Sequence, residues 1–187
     1  GGYSSQDGGI DPASPVGTLK LLASASNTYS TSTTSWLISN TFNAGSSTAT
    51  YYTLGWNPAS QPPQTGIDSL KFQFASNNDN SAWNFVGPDN TPSSYYTTSS
   101  ASVVGHNNRR YLRYKLFMKT DDENLTPSLE DISIEFNSIC VPPGQILFSG
   151  LSADAYNITA TAAGYSLASS SVLVGSGFNQ AEVLLSP

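Results

Sequence analysis

Between residues 18 and 137 the apolar residues recur with a period of two, and no stretch longer than about ten residues carries helical periodicity. A period of two sends successive side chains to opposite sides of an extended backbone, so the chain is confined to strands with one buried face. In Leu70-Lys71-Phe72-Gln73-Phe74, the Leu and Phe side chains point one way, Lys71 and Gln73 the other. From Tyr111 to Lys119, Leu112, Tyr114, Leu116 and Met118 form the inner set, with Arg113, Lys115 and Lys119 outside. From Leu129 to Phe136, Ile132, Ile134 and Phe136 point inward and Asp131, Ser133 and Glu135 outward. The opposite outer charges predict cross-strand neighbours, Arg113 or Lys115 beside Asp131 or Glu135. At about 0.2–1 kcal/mol each, such pairs would set register more than stability.

Shorter strands are expected at Leu19–Ala23, Ser35–Ser39, Tyr51–Trp56 and Trp83–Val86, separated by turn-formers such as Asn57-Pro58, Gln61-Pro62-Pro63 and Gly87-Pro88-Asp89-Asn90. Residues 18–137 thus hold about eight strands, enough for one jelly-roll-like β-sandwich. Residues 1–17 contain five Gly, two Pro and little apolar bulk, and read as a flexible N-terminal leader. Residues 138–144, with the pair Pro142-Pro143, form a Pro-rich junction, because proline donates nothing to a strand ladder. Beyond it, residues 145–187 carry four more short strands: Gln145–Phe148, Ala155–Thr161, Ser171–Val174 and Glu182–Leu185. That is a small β domain, short of material for an independent core.

Composition narrows the function. Charged residues make up 11% of the 187, against about a quarter in an ordinary domain, and Ser and Thr fill the deficit. Seven Lys and Arg in a chain of net charge −6 are too few to neutralise a run of phosphates, which argues against nucleic-acid binding. No apolar run approaches the roughly 18 residues that span a bilayer, so no membrane insertion is expected of these residues. The single cysteine, Cys140, excludes an intrachain disulfide framework and any multi-thiolate zinc site. The one histidine sits in His106-Asn107-Asn108-Arg109-Arg110, which reads as a turn, and no nucleophile motif accompanies it. The expectation is a non-enzymatic secreted or surface β protein.

Two stretches carry a family likeness. Phe148 to Tyr165, with Ser171-Val172-Leu173-Val174 and Glu182-Val183-Leu184-Leu185 after it, resembles the carboxypeptidase regulatory-like, transthyretin-like fold. The earlier domain, through Leu54-Gly55-Trp56, Gly87-Pro88-Asp89, Tyr95-Tyr96-Thr97 and Arg110 to Tyr114, is similar to jelly-roll modules that accompany that fold in secreted bacterial proteins. Together with Cys140-Val141-Pro142-Pro143-Gly144, the arrangement is similar to the ectodomains of prepilin-like surface proteins of the type IV pilin and pseudopilin kind. The resemblance implies an extracellular or cell-surface location in bacteria, a structural or adhesive role, and other copies of itself or surface proteins as partners.

Two candidate sites follow from residue chemistry. Trp83, Tyr95 and Tyr96 lie near polar loops and could stack sugar rings, as in a carbohydrate-binding module or an accessory domain of a larger secreted enzyme. The competing reading makes Trp36, Trp56 and Trp83 core anchors with tyrosines capping the sheets. The densest acidic run, Asp121-Asp122-Glu123, follows the strongest strand. Asp121 and Asp122 are the candidates for a structural calcium ion, which needs six to eight converging oxygens. Adjacent carboxylates on a turn equally serve to end and solubilise a strand. No other cofactor is expected.

Overall fold

The computed structural model describes residues 2–138, 146, 148, 151–175 and 181–186. Among these residues twelve strands run in order: β1 Tyr3–Gln6, β2 Ile10–Asp11, β3 Leu19–Leu21, β4 Ser35–Ser39, β5 Phe42–Asn43, β6 Thr50–Asn57, β7 Leu70–Asn77, β8 Tyr111–Met118, β9 Ser128–Leu129, β10 Asp131–Asn137, β11 Asp154–Ala160 and β12 Ala168–Val174. The protein is all-β, with antiparallel sheets and, among the described residues, no α-helix. The chain divides into two compact units, Gly1–Cys140 and Val141–Pro187.

In the first unit the largest sheet is built around β8. Its whole length pairs with β7, from Leu70↔Met118 to Asn77↔Tyr111. On its other edge it pairs with β4 and β5, and β1 extends the sheet beyond β4. A second layer is the β6–β10 pair, joined from Asp131↔Asn57 to Asn137↔Thr50. The inner faces meet in a sandwich-like core. Phe72 lies against Trp56 with ring centres 5.0 Å apart, and Phe136 meets Phe42 edge-on at 5.0 Å. Leu37, Leu54, Phe72, Phe74, Leu116 and Met118 are all sealed in it. Period-two alternation is what brings them there: Leu70, Phe72 and Phe74 of β7 lie beside Met118, Leu116 and Leu112 of β8 on one inner face.

Several expectations need correction. Of the expected tether, the segment from Tyr3 to Asp11 is tied into the fold: β1 pairs with β4, and Ile10, 2% exposed, pairs with Leu21 inside the core. Average composition hid one well-placed isoleucine and an extended backbone whose amides an edge strand can satisfy. The run Leu129–Phe136 splits at Glu130, because Leu129 pairs with Leu19 whereas Asp131 onward pairs with β6. Arg113 and Lys115 therefore do not neighbour Asp131 and Glu135: β8 and β10 belong to different sheets. Glu135 instead accepts from Thr53 Oγ1 at 2.6 Å, and Glu130 from Asn57 Nδ2 at 2.8 Å. Trp83–Val86 forms no strand, only the single bridge Phe74↔Val86. Phe136, expected inside, is 38% exposed at the end of its layer.

The second unit contains the hairpin β11–β12, in unbroken register from Asp154↔Val174 to Ala160↔Ala168. Tyr156, Ile158, Val172 and Val174 share its half-buried face. Glu182–Leu185, expected as a strand, makes no ladder with the described residues. Cys140, the prolines of the junction, and Gln145 and Leu147 of the strand expected at Gln145–Phe148 lie outside the described residues.

Candidate functional site

The outer face of the five-stranded sheet gathers chemistry that no other part of the first unit shows. Alternation places Lys71, Gln73 and Ala75 of β7, Arg113, Lys115 and Phe117 of β8, and Trp36 and Ile38 of β4 on that face. Register then aligns them in rows: Trp36, Phe117 and Lys71; Ile38, Lys115 and Gln73; Arg113 and Ala75. Aromatic rings and cations interleave across these rows. The Lys115 ammonium lies 4.7 Å from the centre of the Trp36 ring and 5.0 Å from that of Phe117. Lys71 sits 3.9 Å above Tyr95, whose ring meets Phe117 edge-on at 5.2 Å. Arg113 lies 4.5 Å from the Trp83 ring, and Arg110 5.3 Å from Tyr111 at the end of the face.

Loops complete the surface. Gly87, Asn90 and Thr91 close a turn, with the Gly87 amide donating to the Thr91 carbonyl at 2.9 Å and Asn90 in the left-handed region at φ 62°. Asp89 accepts from the Thr91 amide and from the hydroxyls of Thr91 and Ser94, and these bonds hold its carboxyl below the ordinary range. The following segment bridges to β7 at Phe72↔Tyr96. That bridge decides the fate of two adjacent tyrosines. Tyr96 turns inward, 3% exposed and 5.4 Å from Phe74, with burial and then Asp89 raising its phenol pKa. Tyr95 turns outward onto the face. Beneath the loop, Gln73 donates from Nε2 to the carbonyls of Pro92 and Ser94 at 2.8 and 3.0 Å. The side chain expected in solvent is therefore 4% exposed, because a loop covers that part of the sheet. Next to Tyr95 the loop leaves a hollow of about 400 Å³, lined by Pro88, Thr97, Ala101, Ser102 and Val104.

The three candidate stacking residues are thus separated. Tyr96 belongs to the core and offers no platform. Trp83 and Tyr95 reach the face, but each ring already carries a cation. Asp121 and Asp122 also diverge. Asp121 pairs with Lys119 at 3.6 Å, while Asp122 Oδ1 accepts from the Asn124 amide at 2.8 Å and closes its own turn. Among the described residues no three His, Cys, Asp or Glu side chains converge as metal ligands. His106 is 3% exposed, with Nδ1 2.9 Å from Ser76 Oγ, and burial, with Arg109 adding to it, lowers its pKa to about 4.

What sequence reasoning missed is Trp36, Phe117 and the three sheet cations as one surface. The signal was present: Lys71, Arg113 and Lys115 were legible as outer residues of two strong strands. Only the pairing of β7 with β8 puts them side by side.

Among the described residues, the one ion pair within 4 Å is Lys119–Asp121. Lys71, Arg113 and Lys115 have rings for neighbours where carboxylates would be usual. Two acids at the rim are already engaged: Asp7 accepts from the backbone amides of Gly9 and Trp36, and Asp89 from the groups of its own turn. The face is consequently positive in a chain of net charge −6.

Comparison with protein-family models, with curated proteins and with solved structures finds no match to this chain.

Proposed function

We propose that this chain is a non-catalytic extracellular surface module, a structural or adhesive subunit of a pilus-like or cell-surface assembly, combining a jelly-roll-like sandwich with a small carboxypeptidase regulatory-like domain. The observation that carries this reading is the outer face of the five-stranded sheet. Its three cations rest on aromatic rings without carboxylate partners. Such a surface is built to meet an anionic partner through spread, fixed positive charges, whereas catalysis calls for converging acid and base groups in a cleft. The histidine that a catalytic reading would need is instead buried and neutral at physiological pH. The resemblance to prepilin-like ectodomains supports the same assignment. Assaying the full chain against glycoside and ester substrates tests it. Hydrolysis that disappears in Asp121→Asn or Asp122→Asn overturns the reading; no turnover is expected.

A carbohydrate-binding module is the second reading, favoured by the hollow beside Tyr95. A sugar ring stacking on Tyr95 from outside has to displace Lys71 from the ring face, so neutral glycans are expected to bind poorly. Retention on a neutral polysaccharide, lost in Trp83→Ala, would favour it.

A further inference from the structure

The first unit segregates charge between its two outer faces. On the five-stranded sheet, rows 113, 115 and 117 of β8 carry Arg113, Lys115 and, opposite Phe117, Lys71. On the β6–β10 layer the outward residues are Asp131, Ser133 and Glu135 of β10 and Thr53, Gly55 and Asn57 of β6, with Glu130 just before β10. Glu130, Asp131 and Glu135 are exposed. None of the seven Lys and Arg lies on β6 or β10. The two strands approach closely at Gly55. A side chain at Gly55 would meet Ser133 Oγ at 2.7 Å, so this position has room for glycine alone unless the serine moves.

The two charged columns match in length. Rows 113 to 117 and residues 131 to 135 each cover five residues, four steps of the strand repeat and about 13 Å. Because the faces lie on opposite sides of one sandwich, one copy's positive face can seat on the next copy's negative face without any residue meeting itself. That is a heterologous contact, which propagates in a line instead of closing on a pair.

We propose that the cation–aromatic face docks the acidic β6–β10 face of a second copy of this chain, stacking the first units head to tail. The proposal rests on the structural-subunit reading above. A copy fits better than a sugar polymer, since the ring faces a sugar would stack on already hold the cations. The rings instead hold Lys71, Arg113 and Lys115 in fixed positions and partly strip them of water before the contact forms.

Charge reversal on each face tests this. Lys71→Glu/Lys115→Glu and Asp131→Lys/Glu135→Lys are made in the full chain and followed by sedimentation velocity at low ionic strength. Wild type is expected to associate with rising concentration, and raising salt to about 0.5 M should weaken that association at least tenfold. Each reversed variant alone should sediment as a monomer, and an equimolar mixture of the two should associate again. The acidic-face variant alters only exposed side chains, so its behaviour does not depend on the rings keeping their packing. Monomeric wild type up to millimolar concentration overturns the proposal, as does association that both reversals leave unchanged or a mixture that stays monomeric. Retention of wild type on immobilised polyuronate, lost in Lys71→Glu/Lys115→Glu while the mixture fails to associate, assigns the face to an acidic glycan and overturns self-docking. Any of these results leaves the non-catalytic reading in place, since only substrate turnover removes that.

Discussion

The Arg113 guanidinium is held between the Trp83 ring, 4.5 Å away, and Thr41 Oγ1, which accepts from its Nε at 2.8 Å. Trp83 comes from the loop after β7, and Thr41 from the short link between β4 and β5. One arginine of the central strand thereby ties down segments from both of its sides.

A double-mutant cycle on Arg113→Ala and Trp83→Ala, read by urea unfolding, should give a coupling of about 0.5–1 kcal/mol, the range of a part-exposed cation–π contact. Additive losses would mean that ring and cation act independently.

His106 makes stability depend on pH. Its pKa is lowered from 6.5 to about 4, chiefly by burial. Below pH 6.5 the unfolded chain takes up a proton that the folded one refuses. Stability therefore declines as pH falls from 6.5 towards 4, by about 3 kcal/mol in all, and this contribution levels off below that. Denaturation midpoints measured from pH 8 to pH 4 should show the decline in wild type. His106→Gln should flatten it over the same window, leaving only the carboxylates' titration.

The two neighbouring tyrosines should respond very differently to truncation. Tyr96→Ala removes a sealed ring and should cost about 3–5 kcal/mol. Tyr95→Ala loses an edge contact with Phe117 and the seat of Lys71, about 1 kcal/mol. Thermal unfolding of the two variants distinguishes them. Similar losses would count against the inward and outward assignment.

Ile10→Ala should destabilise the first unit by about 2–5 kcal/mol, as for other buried isoleucines. A tether would tolerate the change without effect, so equilibrium unfolding in urea separates the two descriptions of the N-terminal residues.

Deleting the Gln73 amide, as in Gln73→Leu, strands the carbonyls of Pro92 and Ser94 beneath their loop. Each unsatisfied group costs about 1–3 kcal/mol when water stays excluded. The loop should lift, and protease cleavage between Gly87 and Ser100 should become faster than in wild type.

Strands with strong alternation were legible because burial on one face leaves its mark residue by residue. β4 runs from Ser35 to Ser39 as expected, and β7 and β8 carry their inner sets in the expected phase. Pairing was not legible. Charge complementarity pointed from β8 to β10, yet β8 needed partners whose apolar faces matched its own, and it found them in β7 and β4. Gln73 looked solvent-facing because alternation reports the side of a sheet and says nothing of a loop laid over it. Tyr95 and Tyr96 looked alike for a related reason: one bridge to Phe72 separates them, and no composition rule registers a single bridge. Asp121 and Asp122 formed a cluster in sequence, whereas the turn that joins them sends one towards Lys119 and the other back towards Asn124.

Leu19 pairs with Leu129 from near the other end of the first unit, and β10 returns to β6 across the whole of β7 and β8. During synthesis, then, β3 waits without its partner β9 until almost the entire unit has left the ribosome. Contacts of such long sequence separation form slowly, and the waiting strands present open edges meanwhile. A Ser/Thr-rich chain with few aliphatic runs is well suited to that interval, since its unpaired strands offer neighbours little to stick to.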